Sequence, residues 1–163
     1  MSIEKVRDCF RPLGREGDIL EFPVSSATVE LAAQAVGVIP ARIAKTLSFL
    51  VDEGCVLIVA AGDAKIDNAK YKAAFHTKAK MLTPEQVSAF TGHAVGGVCP
   101  FANPEGVRTY LDVSLKRFDT VFPAAGSGNS AIELTCDELA GYSHSLEWID
   151  VCKGWREGAE PPV

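Results

Sequence analysis

The longest uninterrupted apolar segment of the chain, residues 56–61 (VLIVAA), is the feature that most restricts its fold. A segment of this length is typical of a β-strand, and it is far shorter than the roughly 20 residues that a membrane-spanning helix needs. A second strand-like stretch, 46–51 (TLSFLV), precedes it, and the turn sequence DEG at 52–54 separates the two. The pattern therefore predicts two strands joined by a tight turn, and no membrane protein.

The rest of the chain shows short strands and helices without regular alternation. Further strands are predicted at 19–22, 108–112, 120–124, 131–134 and 148–151. Helices are predicted at 2–10, 28–36, 68–75, 84–90 and 136–141, with Ser25 or Ser26, Asp67, Thr83 and Thr135 as the N-terminal caps. This order favours an α+β fold: a mixed, largely antiparallel, barrel-like sheet of six to seven strands with flanking helices.

A chain of 163 residues is expected to form one domain, which we place at 1–153. The remaining segment, 154–163, contains two glycines and two prolines and is predicted to be a flexible tail. The N-terminal residues lack the apolar stretch of a signal peptide, so we expect a cytoplasmic protein.

The charge distribution argues against a protein that grips long DNA, because the net charge is −5. Basic residues are nevertheless concentrated between positions 65 and 80, with Asp67 as the only acidic residue there. A local basic strip on an acidic protein suits brief contact with one end of a polyanion, although a solvated helix face would look the same. The strip consists of Lys65, Lys70, Lys72, Lys78 and Lys80.

Several familiar chemistries lack their sequence signatures. The five cysteines are widely spaced with no CxxC pair, and the three histidines are isolated, so we expect no metal site. The segment 126–131 (GSGNSA) fits a dinucleotide fingerprint, but it precedes a predicted strand instead of opening a helix. No P-loop motif occurs, and we expect no cofactor. A nucleophilic Cys99 beside Pro100 remains a minor alternative without an assigned base.

What remains is a lysine, an aspartate and two glycine-containing loops. Lys45 begins an apolar strand, where alternation alone would equally allow it to face solvent. Asp112 ends another strand just before Ser114. The loops 96–101 and 125–129 offer backbone N–H groups that can hold a carbonyl oxygen or an oxyanion. Together these groups could form an ester-cleaving pocket without a metal, although spacing alone does not show that they meet.

Four segments in this order resemble the YbaK/ProX family: AKTL at 44–47, GGVCPF at 96–101, LDVS at 111–114 and AGSGNSAIEL at 125–134. Members of that family are free-standing relatives of the editing domain inserted in bacterial prolyl-tRNA synthetases. The resemblance runs from about residue 22 to 151. It implies a barrel-like mixed sheet and hydrolysis of the ester that joins a wrong amino acid to the terminal adenosine of tRNA, often proline tRNA.

The resemblance also implies site residues. Lys45 corresponds to the lysine required for deacylation, with Asp112 as a second catalytic candidate. The residues implied in substrate binding are Thr28, Gly96, Gly97, Pro100, Phe101, Ser114, Gly126, Ser127 and Asn129. The basic strip would contact the acceptor end of a mischarged tRNA, and a prolyl-tRNA synthetase is a further candidate partner.

Two departures from the family pattern leave the removed amino acid open. Many members have a histidine shortly before the threonine that corresponds to Thr28, whereas this chain has PVSS at 23–26. The loop 127–130 (SGNS) also differs from the basic version of the best-known branch. We therefore expect a trans-editing deacylase. The alternatives are a non-catalytic module that binds an amino acid or aminoacyl-tRNA, and a hydrolase of small esters or thioesters.

Overall fold

In the computed structural model, which describes residues 2–155, five α-helices flank a mixed β-sheet. They are α1 (Ser2–Phe10), α2 (Val29–Val36), α3 (Asn68–Phe75), α4 (Pro84–Thr91) and α5 (Cys136–Ser143). Each begins within one residue of its predicted start, and at α2, α3, α4 and α5 the sequence supplies a capping side chain there. Thr83 forms the predicted capping box, and Thr135, which was predicted only as a cap, also forms a complete capping box.

The cap of α2 differs from the prediction. Neither Ser25 nor Ser26 caps this helix; the hydroxyl of Thr28 accepts a hydrogen bond from Leu31 N at 3.2 Å. The prediction was wrong because Ser26 is used elsewhere, its backbone N–H donating to Gly128 O. A serine, threonine, asparagine or aspartate near a helix start can serve as cap, and tertiary contacts select among them.

Ten short strands are present among the described residues: β1 (Leu20–Glu21), β2 (Ile43–Val51), β3 (Gly54–Ala61), β4 (Lys65–Ile66), β5 (Arg108–Asp112), β6 (Thr120–Pro123), β7 (Ser130–Ala131), β8 (Leu134–Thr135), β9 (Trp148–Ile149) and β10 (Cys152–Lys153). Six of them form the main sheet in the order β8-β6-β2-β3-β5-β9. Two further pairs, β1 with β7 and β4 with β10, are antiparallel ribbons.

The strand β3 lies near the middle of this sheet and explains the continuous apolar sequence. It pairs antiparallel with β2 from Ala44↔Ala61 to Val51↔Gly54, and parallel with β5. Residues 56–61 are fully buried. A strand covered on both faces needs apolar side chains at successive positions instead of alternate ones.

The predicted fold class, α+β with a mixed barrel-like sheet, is confirmed. Antiparallel pairing dominates less than expected, since β2–β6, β3–β5 and β5–β9 are parallel. The predicted strand 131–134 is divided into β7 and β8, which pair with different partners. The two-residue strands β4 and β10 were not predicted, because two residues are too few to show alternation.

Part of the predicted flexible tail is described. Trp155 is buried, and the guanidinium of Arg117 lies 5.1 Å from the centre of its ring. Residues 156–163 lie outside the described part of the chain. Within residues 2–155 no helix has the length and apolar character needed to cross a membrane.

Candidate active site

A cavity of about 120 Å³ lies where the start of α2, the start of β2, the first glycine loop and the residues on either side of the second glycine loop meet. Three of the predicted site residues, Thr28, Lys45 and Gly96, line it. The sequence therefore named residues that the fold brings together from three separate regions. Lining residues that the sequence analysis missed include Ser26, Ala27, Val29, Thr46, Phe122, Ala124, Ser130 and Ala131.

Lys45 forms part of the cavity wall and is half-buried. Its ammonium group donates to the carbonyl oxygens of Gly62, at 3.4 Å, and of Ala64. Burial lowers the pKa of Lys45, while electrostatic interactions with Cys152 and Asp63 oppose that shift. An ammonium has three N–H donors, so these two contacts fix the amine and leave one donor for a ligand.

Gly62 permits the approach that holds this amine. A Cβ atom at this position would lie 2.1 Å from Pro40 O and 2.7 Å from Val29 Cγ1, which no side chain tolerates. The chain that follows β3 can therefore lie close to Pro40 and to Val29 at the start of α2. In this position the carbonyl of Gly62 accepts a hydrogen bond from Lys45. The sequence analysis did not identify Gly62 as a site residue, since a close backbone approach leaves no local signature.

The two glycine loops lie against each other. A Cβ on Gly97 would be 2.8 Å from Ser127 Cα and 3.1 Å from the carbonyl carbon of Gly126. The segment before α2 joins them, because Ser26 N donates to Gly128 O at 2.7 Å. The convergence that spacing alone left open is thus a property of the fold.

Polar side chains of the second loop hold it in shape. The hydroxyl of Ser127 donates to Asn129 Oδ1 at 2.9 Å and lies 2.7 Å from Ser130 Oγ. Asn129 Nδ2 donates to Phe22 O at 3.0 Å, and Phe22 N donates to Asn129 O at 2.8 Å. Ser127 and Asn129 therefore order the loop that borders the cavity.

Asp112 and Ser114 lie in the buried interior, away from this cavity. Asp112 accepts hydrogen bonds from Ser114 N and Val151 N, both at 2.9 Å. Ser114 Oγ accepts from Ala61 N at 3.1 Å. In the described part of the chain no ion pair or hydrogen bond joins Asp112 to Lys45. The link is indirect, through buried Cys152, which interacts electrostatically with both Asp112 and Lys45.

Pro100 and Phe101 lie at a different cavity, of about 560 Å³. Phe101 is buried, and its ring centre is 5.0 Å from that of Phe10. These two residues therefore belong to the packing behind the first glycine loop, whereas Gly96 faces the smaller cavity.

The predicted basic strip is divided between two surface cavities. Lys65 and Lys70 line one of about 580 Å³, and Lys72 and Lys78 line another of about 420 Å³. Lys80 is exposed next to them in sequence. The strip is thus a folded surface, not a single helix face.

Thr46 is the most informative of the residues that the sequence analysis missed. It follows Lys45 on β2 and lines the 120 Å³ cavity, and its hydroxyl is buried without a hydrogen-bond partner among the described residues. A single threonine in an apolar strand gives no sequence signal of such a position.

Within residues 2–155, no group of three or more His, Cys, Asp and Glu side chains is placed to hold a metal ion.

The chain is similar to a protein family and to individual bacterial proteins. Residues 24–142 match a family model described as "Aminoacyl-tRNA editing domain". The protein YwhH of Bacillus subtilis (strain 168) is 58% identical over 157 residues, which are 96% of this chain and 100% of YwhH. The proposed Cys-tRNA(Pro)/Cys-tRNA(Cys) deacylase EbsC of Enterococcus faecalis is 30% identical over 114 residues, covering 69% of this chain and 70% of EbsC.

The similarity extends to larger enzymes and to solved structures. A proline–tRNA ligase of Nitratidesulfovibrio vulgaris is 33% identical over 114 residues, which are 66% of this chain and 19% of the ligase. The match therefore concerns one part of that enzyme. A crystal structure described as a proposed trans-editing enzyme for prolyl tRNA synthetase superimposes with a TM-score of 0.83 at 29% identity, covering 94% of this chain and 98% of that chain.

Proposed function

Because the chain belongs to the aminoacyl-tRNA editing domain family, we propose that it is a deacylase that removes a wrong amino acid from tRNA. Membership in this family was the prediction from the four sequence segments. The observation that carries the proposal is Lys45, held by two backbone carbonyls in the wall of a small cavity between two glycine loops. Proline tRNA is the proposed substrate, since the relatives include proline–tRNA ligases and EbsC.

The reaction is an ester hydrolysis that needs no strong nucleophile. Water adds to the carbonyl carbon, the bond from that carbon to the ribose oxygen breaks, and the ribose oxygen takes up a proton. The products are the free amino acid and the intact tRNA. The aminoacyl ester is already activated, so positioning and polarisation of its carbonyl account for most of the catalysis that is required.

Each part of the cavity has a proposed role in the reaction. The remaining N–H donor of Lys45 stabilises the negative charge that develops on the carbonyl oxygen. Backbone groups around Gly96 and in the facing loop hold the aminoacyl group, as fixed dipoles do in other hydrolytic sites. The neighbouring ribose hydroxyl of the substrate is available to relay the proton.

The size of the cavity supports a sieving role. A cavity of about 120 Å³ favours a small side chain over a large one. A synthetase pocket discriminates one methylene by only about 1–3 kcal/mol, so a second site that hydrolyses small misattached residues adds the selectivity that binding lacks. Asp112 acts in this proposal as a positioning residue, through the buried interior that holds Cys152 near Lys45.

The tRNA would be attracted by the basic strip. Each phosphate that a lysine neutralises releases counterions, so binding is expected to weaken as salt rises. Replacing Lys70, Lys72 and Lys78 with glutamine should make the dependence of the binding constant on salt less steep. A prolyl-tRNA synthetase remains a proposed partner, to be tested by co-purification.

The direct test is a panel of proline tRNAs charged with different amino acids, offered to the wild type and to variants at Lys45. Loss of one electrostatic contact to a developing oxyanion costs about 100- to 1,000-fold in rate, so Lys45→Ala should be slowed by that order while Lys45→Arg keeps part of the activity. Lys5→Ala, at an exposed position of α1, is the control for removing a lysine. A folded Lys45→Ala protein with the wild-type rate would refute the role of Lys45.

The same panel separates the enzyme from a binding module. If the folded wild type binds charged tRNA but hydrolyses none of the panel, the deacylase assignment is wrong and a non-catalytic module replaces it. Activity on free aminoacyl esters without tRNA would instead favour a small-ester hydrolase.

A further inference from the structure

The ribbon formed by β4 and β10 borders a cavity that the catalytic proposal does not use. Its volume is about 580 Å³, and its walls include Lys65, Lys70, Lys153 and Trp155. In the ribbon, Lys65 lies directly opposite Lys153. Residues directly opposite in an antiparallel pair project from the same face with their Cβ atoms about 4.5–5.5 Å apart, so the two lysine side chains leave the ribbon side by side.

Neither of these two lysines has a salt-bridge partner in the described part of the chain. The other charged groups around the cavity already have partners: Lys70 pairs with Asp150 at 3.1 Å, and Asp63 pairs with Arg117 at 2.6 Å. Like charges directly opposite each other destabilise a strand pair, and an anion bound between them would remove that repulsion.

This cavity and the candidate active site have no lining residue in common, but they are linked along the chain through Ala64. The ammonium of Lys45 donates to Ala64 O, and Lys65 is the next residue along the chain. Consecutive Cα atoms are about 3.8 Å apart, so the backbone of Lys65 lies next to the residue whose carbonyl fixes Lys45. A substrate with its ester at Lys45 and a phosphate a few ångströms away could occupy both places at once.

We propose that the cavity between Lys65 and Lys153 binds a phosphate group of the RNA backbone close to the aminoacylated end. The inference rests on the proposed function, because it takes an RNA ester as the molecule in the neighbouring site. It adds Lys153, which the sequence analysis did not consider, and it separates Lys65 from Lys72 and Lys78, which line another cavity. The pair Lys65–Lys153 contacts the end of the acceptor strand, whereas the other two lysines contact phosphates further along.

Trp155 provides a readout of binding that does not depend on hydrolysis. It lines the basic cavity, whereas the second tryptophan, Trp148, lies under Lys116. A Trp148→Phe background therefore reports on the cavity alone through tryptophan fluorescence. The probes are the uncharged trinucleotide CCA and inorganic phosphate, titrated at equal ionic strength, which distinguishes a backbone phosphate from free phosphate.

In this background CCA should change the fluorescence of Trp155 with saturation, and more tightly than inorganic phosphate. Lys65→Gln and Lys153→Gln should each weaken CCA binding by about fivefold, because a charge-assisted contact to phosphate is lost. Each should also reduce the slope of log K against log salt by about 0.7, the value for one single-strand phosphate. The matched control Lys5→Gln removes a lysine from outside the cavity and should leave affinity and slope unchanged.

The melting temperatures of the unliganded variants show whether a loss of CCA binding is caused by misfolding. Lys153→Gln removes the repulsion across the ribbon, so it should melt at the same temperature as the parent or slightly higher in low salt. Equal CCA affinity in the parent, Lys65→Gln and Lys153→Gln would overturn the inference, and so would tighter binding of inorganic phosphate than of CCA. Charge-dependent CCA binding by a protein that hydrolyses no mischarged tRNA would refute the proposed function and leave the phosphate site standing.

Discussion

Gly97→Ala is the substitution that tests the geometry of the site most directly, because it adds one methyl group where the two glycine loops meet. The new Cβ would lie 2.8 Å from Ser127 Cα and 3.0 Å from Ser127 N, whereas ordinary contact begins at 3.4 Å. Both neighbours are backbone atoms, so no side-chain rotation relieves the contact. The loops must separate by about 0.6 Å or the chain must distort elsewhere.

The expected cost follows from this overlap. Inserting a methyl group into a packed site destabilises by about 1–3 kcal/mol. For a protein of this size that free energy corresponds to a decrease in melting temperature of about 2–12 °C. The deacylation rate should fall by about tenfold or more, since a misplacement of about 1 Å at a catalytic site costs about 100-fold.

Two matched glycine variants distinguish the effect of the contact between the loops from the effect of a methyl group in the cavity. Gly17→Ala places its methyl group where no atom lies within 4 Å, so its stability and rate should equal those of the wild type. Gly96→Ala meets only Ala27 Cβ, at 3.5 Å, but it lines the cavity. It should therefore keep its stability and lose activity. Thermal melting and single-turnover deacylation measure both quantities, and a Gly97→Ala protein that behaves like Gly17→Ala would refute the contact between the loops.

Three further predictions use other parts of the structure. Burial lowers the pKa of Lys45, so this amine loses its charge at a lower pH than an ordinary lysine does. The enzyme-catalysed rate, after subtraction of spontaneous hydrolysis, should therefore fall as pH rises through the lowered pKa. The pH–rate profile of Lys45→Arg should lack this fall, because arginine stays charged. Asp112→Asn should lower the free energy of unfolding in urea by about 1–3 kcal/mol, because its amide presents a donor to one of two buried backbone N–H groups; an unchanged midpoint would contradict the two contacts. Exposed Cys9 should react with a thiol reagent in the folded protein, whereas Cys99 and Cys152, whose pKa values burial raises to about 12, should react only on unfolding; a fast phase that survives Cys9→Ser would contradict this order.

Much of the local structure followed from the sequence because its causes are local. Asp67, Thr83 and Thr135 each cap the helix that follows them, since a short polar side chain satisfies the free N–H groups of the first turn. The strands β2 and β3 followed from two apolar stretches around a turn. Pairs such as β4–β10, only two residues long, lack a period and depend on what the rest of the chain places beside them.

The candidate site was predicted in part. The segments that resemble the editing family contain Lys45 and Gly96, which line one cavity together with Thr28, a residue outside these segments that the resemblance also implied. The same segments contain Asp112 and Ser114, whose polar atoms are bonded to backbone groups in the interior. A motif identifies residues that the family retains, but it does not distinguish a side chain that faces a ligand from one that supports the surrounding backbone.

The sequence by itself determined the helix starts, the buried central strand and the family, since capping, hydrophobic pattern and motif order are properties of neighbouring residues. Only the tertiary structure decided that the loops of Gly97 and Ser127 touch, that Gly62 and Ala64 hold the amine of Lys45, and that Lys65 faces Lys153. These contacts join residues that are distant along the chain or belong to different strands. Their energies depend on how whole elements pack, and no short stretch of sequence encodes that arrangement.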